Sequence, residues 1–243
     1  MSVDVFLVRH GQTVANISKV LSGWTETELT ETGVEQARNA GRVLAEQISD
    51  AQGFSDHGEI HVLASDLSRA QHTARVIGQQ LGTDQVVVVP QLREWNFGAF
   101  EGKPQIHMWR AILDHLGIWV DPGYLEKATY WDNVSLLENH GYGEADMMDA
   151  LAALDPSGAT DGWNHYAQRL HGAVDVISET AQNLEGNGTV VAVAHGAVIR
   201  NLVQLLAAGS YDGQPITNAS ITQLRYEDGA FHAVRVAVDP QEW

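Results

Sequence analysis

The sequence predicts a layered α/β/α fold, with helices on both sides of a mostly parallel but mixed central sheet, and three observations predict it. Short apolar runs alternate with stretches of helical periodicity over most of the chain, which is the grammar of a parallel sheet built from strand–helix units. Two of those runs, 3–8 (VDVFLV) and 189–194 (TVVAVA), are nearly uninterrupted, as strands buried on both faces are, and each leads into a His-Gly dipeptide. Near the chain's end, runs at 221–226 and 230–236 flank Glu227-Asp228-Gly229. Asp-Gly there signals an antiparallel hairpin, which makes the sheet mixed.

Taken in order, the first strand stops at Arg9-His10-Gly11, so His10 stands just beyond a strand's carboxyl end. Thr30 is placed to cap a helix whose Val34, Ala37, Gly41, Leu44 and Ile48 recur at spacings of three and four, one face against the sheet. Residues 49–58 (SDAQGFSDHG) read as a polar loop. A strand at 60–64 follows, then Ser65 or Asp66 as N-cap, an amphipathic helix at 67–81, and a strand at 86–89 ending at Pro90. The stretch 102–163 breaks the alternation. It is helical and loop-rich and holds Trp109, Trp119, Trp131 and Trp163, and it reads as a cap inserted over the site within a single domain spanning 1–243. After the strand at 189–194 a helix runs over 197–207.

A length of 243 residues suits one domain with an insertion. Hydrophobic residues make up 44% and charged residues 19%, ordinary globular values. No apolar run reaches the roughly 18 residues that a membrane helix needs, and nothing before the first strand resembles a signal peptide. A soluble protein is expected, with the cytoplasm as default compartment. The chain has no cysteine, which excludes disulfides, thiolate catalysis and cysteine-ligated metal. A net charge of −17, with only 14 Lys and Arg, repels nucleic acid and anionic lipid, so neither is an expected partner. Any anionic substrate must therefore be small and met by a local cationic pocket, and the strand-end residues make a small phosphorylated metabolite the expected partner. Oligomeric state is left open, a dimer included.

The three strand ends supply Arg9-His10-Gly11, Ser65-Asp66-Leu67-Ser68-Arg69 and His195-Gly196 at the sheet edge where α/β folds bind ligands. Two arginines suited to bidentate contact and two histidines make an anion pocket, and Arg69 would act alongside the free N–H groups of its helix. Neighbouring positive charge disfavours the imidazolium form, so His10 keeps a lone pair for attack on phosphorus. His195 can stabilise charge on the equatorial oxygens, while Gly11 and Gly196 leave room for backbone to approach a ligand. Glu94, just after a strand, is the expected proton donor to the leaving alkoxide. Trp24, Trp95, Phe97, Phe100 and Trp109 are expected to line an apolar mouth, with Lys103, His107 and Arg110 as its few positive groups.

Leu7-Val8-Arg9-His10-Gly11-Gln12-Thr13 resembles the signature of the histidine phosphatase superfamily, in its phosphoglycerate mutase-like branch. Further matches run in family order: Asn16, Leu21-Ser22-Gly23, Leu29-Thr30-Glu31-Thr32-Gly33 with Gln36-Ala37, Ser65-Asp66-Leu67-Ser68-Arg69-Ala70 with Thr73-Ala74, Glu94 with Phe97-Gly98 and Glu101-Gly102, and Ala194-His195-Gly196 with Ile199-Arg200. They cover the chain except the expected cap and the last thirty or so residues. The resemblance implies that His10 is phosphorylated, that Arg9, Arg69 and His195 bind the phosphoryl group, and that Glu94 donates the proton. It further implies that Asn16, Ser22 and Gly23 join the phosphate pocket. After Glu94 the sequence departs from the family's mutases: the basic residues that hold a substrate carboxylate are missing from Trp95-Asn96-Phe97-Gly98-Ala99-Phe100-Glu101-Gly102-Lys103.

The expected function is therefore a phosphatase acting on small phosphate monoesters through a phosphohistidine, with no cofactor. A cofactor-dependent phosphoglycerate mutase-type phosphotransferase is the first alternative, and a non-catalytic phosphate-ligand or protein-binding module the second. A metallohydrolase built on His10, His195, Glu94 and Asp66 would set Arg9 and Arg69 beside a cation, which is electrostatically poor, so no metal is expected. Blander readings stand beside these. Arg69 could pair only with Asp66, and Glu94 only with Arg93 or a loop amide; the aromatic residues could pack a small core. His57 and His61, four apart, read as structural or exposed rather than as metal ligands.

Overall fold

The computed structural model describes residues 2–52, 58–121, 123–184 and 188–243. The chain forms two compact units, the first made of Met1–Val14, Glu26–Glu94 and Arg169–Trp243, the second of Ala15–Thr25 and Trp95–Gln168.

The first unit is built on β1 (Ser2–Arg9), β2 (Glu59–Ala64), β3 (Val86–Val88), β4 (Gly188–Ala194), β5 (Ile221–Glu227) and β6 (Ala230–Val238). They form one sheet in the order β3-β2-β4-β1-β5-β6. β3, β2, β4 and β1 run parallel, β5 is antiparallel to β1, and β6 is antiparallel to β5. The predicted mixed α/β sheet is what forms. Its hairpin turns at Asp228 and Gly229, whose φ of 52° and 82° are the left-handed pair that a two-residue turn requires.

Side chains alternate across the sheet, and both faces are buried. Phe6 and Val8, Val62 and Ala64, and Val191 and Val193 share one face with Ala40, Leu44 and Ile48 of α2 (Glu31–Gln52) and with Ala70, Ala74 and Ile77 of α3 (Ser68–Gln80). Val5, Leu7, Leu63, Val190 and Ala192 point to the other side and are equally buried. Complete burial of one side chain such as Leu44 or Ile77 contributes about 1.5–3 kcal/mol. Two more helices close the unit: α9 (Gly196–Leu206) packs against β1 and β6, and α8 (Trp163–Asn183) brings its residues from Arg169 onward.

Thr30 caps α2 as expected, its Oγ1 accepting the Gly33 N–H at 3.0 Å. The helix continues to Gln52, into the stretch expected to be a loop; the rest of that stretch up to His57 lies outside the described residues. At α3 neither Ser65 nor Asp66 caps. Leu67 holds the cap position, because the Ser65 hydroxyl faces His195 and the Asp66 carboxylate is held by Arg93.

The second unit carries α1 (Val14–Ser18) from Ala15 on, α4 (Gln105–His115), α5 (Tyr124–Lys127), α6 (Tyr130–Asn139) and α7 (Glu144–Leu154). Its core holds Trp95, Met108, Trp109, Ile112, Leu113, Leu137, Met148 and Leu151. Two carboxylates tie its loops. Glu101 accepts the N–H groups of Gly23, Trp24, Thr25 and Phe97, which is why 15–25 belongs with this unit. Asp155 accepts from Ala99, Ser157, Ala159 and Thr160. Burial pushes the Asp155 carboxyl up, but the bonds from Ser157 and Thr160 outweigh it and hold the group well below the usual carboxylate range. Among the described residues no helix is long and apolar enough to cross a membrane.

Candidate active site

Three neighbouring strands build the site. Because β2, β4 and β1 lie side by side and run parallel, the residues just past their carboxyl ends, Ser65, His195 and His10, come together. Backbone bonds hold them there: His10 N–H donates to Ala194 O and Ser65 N–H to Val193 O, each at 3.0 Å. The His10 and His195 rings stand 5.2 Å apart between centroids, and both are buried. Arg9 ends β1, and Arg69, also buried, stands in the first turn of α3. Glu94 reaches the same place from the loop after β3, its Oε2 accepting the Ala197 N–H in the first turn of α9 at 3.2 Å.

His10 Nδ1 lies 2.8 Å from Gly11 O. A carbonyl only accepts, so Nδ1 carries the hydrogen and the neutral ring keeps its lone pair on Nε2. Burial, then Arg69 and Arg9, push the His10 pKa well below its usual value, against a smaller opposing effect of the bond to Gly11. The sequence argument reaches this direction from the arginines alone; burial is the larger cause. His195 is pushed down likewise, by burial and then by Arg69, His10, Arg9 and Arg169. Burial also lowers Arg9, and the Glu94 charge opposes it.

Around these groups stands a set of hydrogen bonds that the motifs do not announce. Asn218 Nδ2 donates to His10 O at 3.1 Å. Gly11 N–H donates to Thr73 Oγ1 at 3.0 Å, and that hydroxyl donates to Arg69 O at 2.8 Å, so α3 is pinned to the His10 loop. Arg9 donates to Ile216 O at 2.6 Å. Arg169 donates to the carbonyls of Arg93 and Glu94, fixing the chain that carries the Glu94 carboxylate. A polar Thr73 four residues after Arg69, on an otherwise apolar helix face, is the one sequence signal for this set. Asn218 has none, since it sits in a loop far along the chain.

Several sequence expectations change. The start of α3 is not a free anion site, because the Glu26 carboxylate accepts the N–H and hydroxyl of Ser68. The missing side chain of Gly11 serves the protein rather than a ligand: a Cβ there would lie 2.2 Å from the Gly33 carbonyl oxygen. A Cβ on Gly196 would meet the Arg9 guanidinium at 3.7 Å, an ordinary contact. Asp66 binds Arg93 through both oxygens, one at 2.6 Å, and the Glu94 carboxylate does accept a backbone amide, that of Ala197. Trp95 and Trp109 do not line a mouth; at 3% and 2% exposure they pack inside the second unit. Here the blander reading holds, because indole rings of this size fill that unit's small core.

Asn16, Ser22, Gly23 and Lys103 belong to the second unit. Asn16 O accepts the Lys19 N–H, and Ser22 Oγ donates to Thr25 O at 3.2 Å. Gly23 gives its N–H to Glu101, and a Cβ there would lie 1.9 Å from Trp95 O. Lys103 is exposed, its Nζ 5.3 Å above the Phe100 ring. His61 is bonded to Glu59 at 2.8 Å, and His57 lies outside the described residues. Among the described residues, no group of three or more His, Asp or Glu side chains is placed to hold a metal ion.

Fold and site together define a class. The model of the histidine phosphatase superfamily (branch 1) matches residues 5–129 and 141–239, and the chain belongs to that superfamily. Its members are enzymes, with mutases and phosphatases among them. The Yersinia enterocolitica protein named "Probable phosphoglycerate mutase GpmB" is 39% identical over 102 residues, 42% of this chain and 42% of that protein. The match thus spans less than half the length of such curated relatives. Among solved structures, a phosphoglycerate mutase from Bacillus anthracis is 28% identical with a TM-score of 0.78, covering 99% of this chain and 95% of that one. A mycobacterial glucosyl-3-phosphoglycerate phosphatase, 23% identical with a TM-score of 0.62 over 97% and 98%, shares the fold.

Proposed function

We propose that the protein is a phosphatase that hydrolyses small phosphate monoesters through a phosphohistidine at His10. The observation that carries this reading is the state of His10: buried, neutral, with Nδ1–H committed to Gly11 O and the Nε2 lone pair left beside two guanidinium groups. Nε2 attacks phosphorus in line, the bond to the ester oxygen breaks, and Glu94 protonates the departing oxygen. Arg9, Arg69 and His195 hold the charge on the equatorial oxygens. Glu94 then takes a proton from water, which attacks the phosphohistidine and releases inorganic phosphate. No step needs a metal ion or cofactor, and a cation beside Arg9 and Arg69 would be repelled. The net charge of −17 favours a small metabolite over nucleic acid or a membrane surface as partner, and the cytoplasm stays the default compartment of this reading.

A quench after mixing with a phosphomonoester should trap an acid-labile, alkali-stable phosphoenzyme that His10→Ala abolishes. Turnover without a trappable phosphoenzyme would sink the scheme. A second reading, a phosphoglycerate mutase, is favoured by the likeness to the Bacillus anthracis structure over nearly the whole chain. Against it stand the missing basic residues after Glu94, and the nearby arginines are already engaged, Arg93 with Asp66 and Arg169 with backbone carbonyls. Moving label between the 2- and 3-positions of phosphoglycerate faster than phosphate is released would decide for the mutase.

A further inference from the structure

Ser65 lies in the same buried row as the two histidines, and its hydroxyl can be accounted for completely. Its Oγ accepts the Leu67 N–H at 3.3 Å and stands 2.9 Å from His195 Nε2. The side chain is fully buried, so no water takes its hydrogen, and among the described residues His195 Nε2 is the one acceptor in reach. A buried hydroxyl that gives up an available acceptor loses free energy, so the hydrogen goes to Nε2. We propose that Ser65 is a positioning residue that holds His195 as its Nδ1–H tautomer, so that His195 offers the phosphoryl group a hydrogen rather than a lone pair.

His195 Nδ1 is itself buried and has no hydrogen-bond partner in the protein, the state of a donor kept for a ligand. The two histidines then do opposite things with one tautomer. Each carries its hydrogen on Nδ1. His10 spends that hydrogen on Gly11 O and presents the Nε2 lone pair, whereas His195 spends its Nε2 lone pair on Ser65 and presents Nδ1–H. Two free lone pairs facing one phosphoryl group would leave one of them against its oxygens; this arrangement avoids that. The proposal rests on the phosphohistidine reading for its consequence, but the tautomer is measurable without turnover.

Long-range proton–nitrogen correlation spectra of the ¹⁵N-labelled, unphosphorylated enzyme at neutral pH, with His195 assigned from the peaks lost in His195→Gln, read the tautomer directly. A pyrrole-type Nδ1 and a pyridine-type Nε2 are expected; the reverse pattern overturns the proposal whether or not the enzyme turns over. In Ser65→Ala the Nε2 constraint is gone, so the two nitrogen shifts should move towards each other as the tautomers mix. kcat should fall at least about 10-fold, bounded by the roughly 10²–10³-fold loss of one transition-state donor, with KM little changed. A His195 spectrum in Ser65→Ala identical to that of the parent overturns the positioning role. Absence of a phosphoenzyme in the parent sinks the reaction scheme alone, since the spectra still decide the tautomer.

Discussion

His10 and His195 are buried bases beside guanidinium groups, and this ties stability to pH. Both pKa values lie well below the unfolded value of about 6.5. As pH falls through that value the unfolded chain takes up protons that the folded chain refuses, so stability present above it is lost on acidification. Each histidine contributes a slope of at most about 1.4 kcal/mol per pH unit in that window. Denaturant midpoints of the wild type and of His195→Gln, measured from pH 7 to pH 5, should show a shallower fall in the variant; parallel curves would mean that His195 is not held neutral. On the proposed mechanism, the same depression leaves the His10 lone pair available for attack in mild acid. The acid limb of kcat/KM should therefore have its midpoint below the ordinary imidazole value, and a midpoint at about 6.5 would contradict the burial argument.

At the scale of elements, local rules decide some features and tertiary contacts the rest. Strands β1 and β4 are legible because strands buried on both faces are nearly continuous in apolar residues, and the hairpin is legible because few residues besides Asp-Gly tolerate two left-handed dihedrals. Thr30 is legible too. Thr30→Ala should lower stability by about 1 kcal/mol, the usual value of a lost N-cap, read as a shift in denaturant midpoint. The start of α3 is not legible, because its first N–H group, that of Ser68, is met by Glu26, which comes from a distant loop. Nor is the meeting of Gly11 and Gly33. A Cβ on Gly33 would lie 2.1 Å from Gln12 O, backbone that cannot turn aside. Gly33→Ala should cost about 3 kcal/mol, the upper end of ordinary overpacking, and should lower kcat as well by displacing the His10 loop. Wild-type stability in that variant would show that α2 and the loop do not touch. The roles proposed for Arg9, His10, Arg69, Glu94 and His195 rest on short motifs, whereas the hydrogen bonds of Ser65, Asn218 and Arg169 around them depend on which strands are neighbours.

For the whole molecule, an acidic protein gathers a small cationic cluster. Two arginines and two neutral histidines face one place in a chain of net charge −17, so on the proposed function a phosphate-sized anion should stabilise the folded state and not the unfolded chain. Binding to the folded state alone raises stability by about 2.7 kcal/mol at a ligand concentration 100-fold above Kd. For a chain of this length each kcal/mol moves Tm by roughly 2–4 °C, so saturating inorganic phosphate should raise Tm by about 5–10 °C. Sodium chloride at matched ionic strength should raise it far less, because general screening acts on the whole acidic surface and does not pair with the cationic cluster. Arg69→Gln removes a buried guanidinium and should lower the phosphate-dependent shift to the chloride level while also lowering the starting Tm. A shift of equal size with either salt, or an undiminished phosphate shift in Arg69→Gln, would place the bound anion elsewhere on the protein.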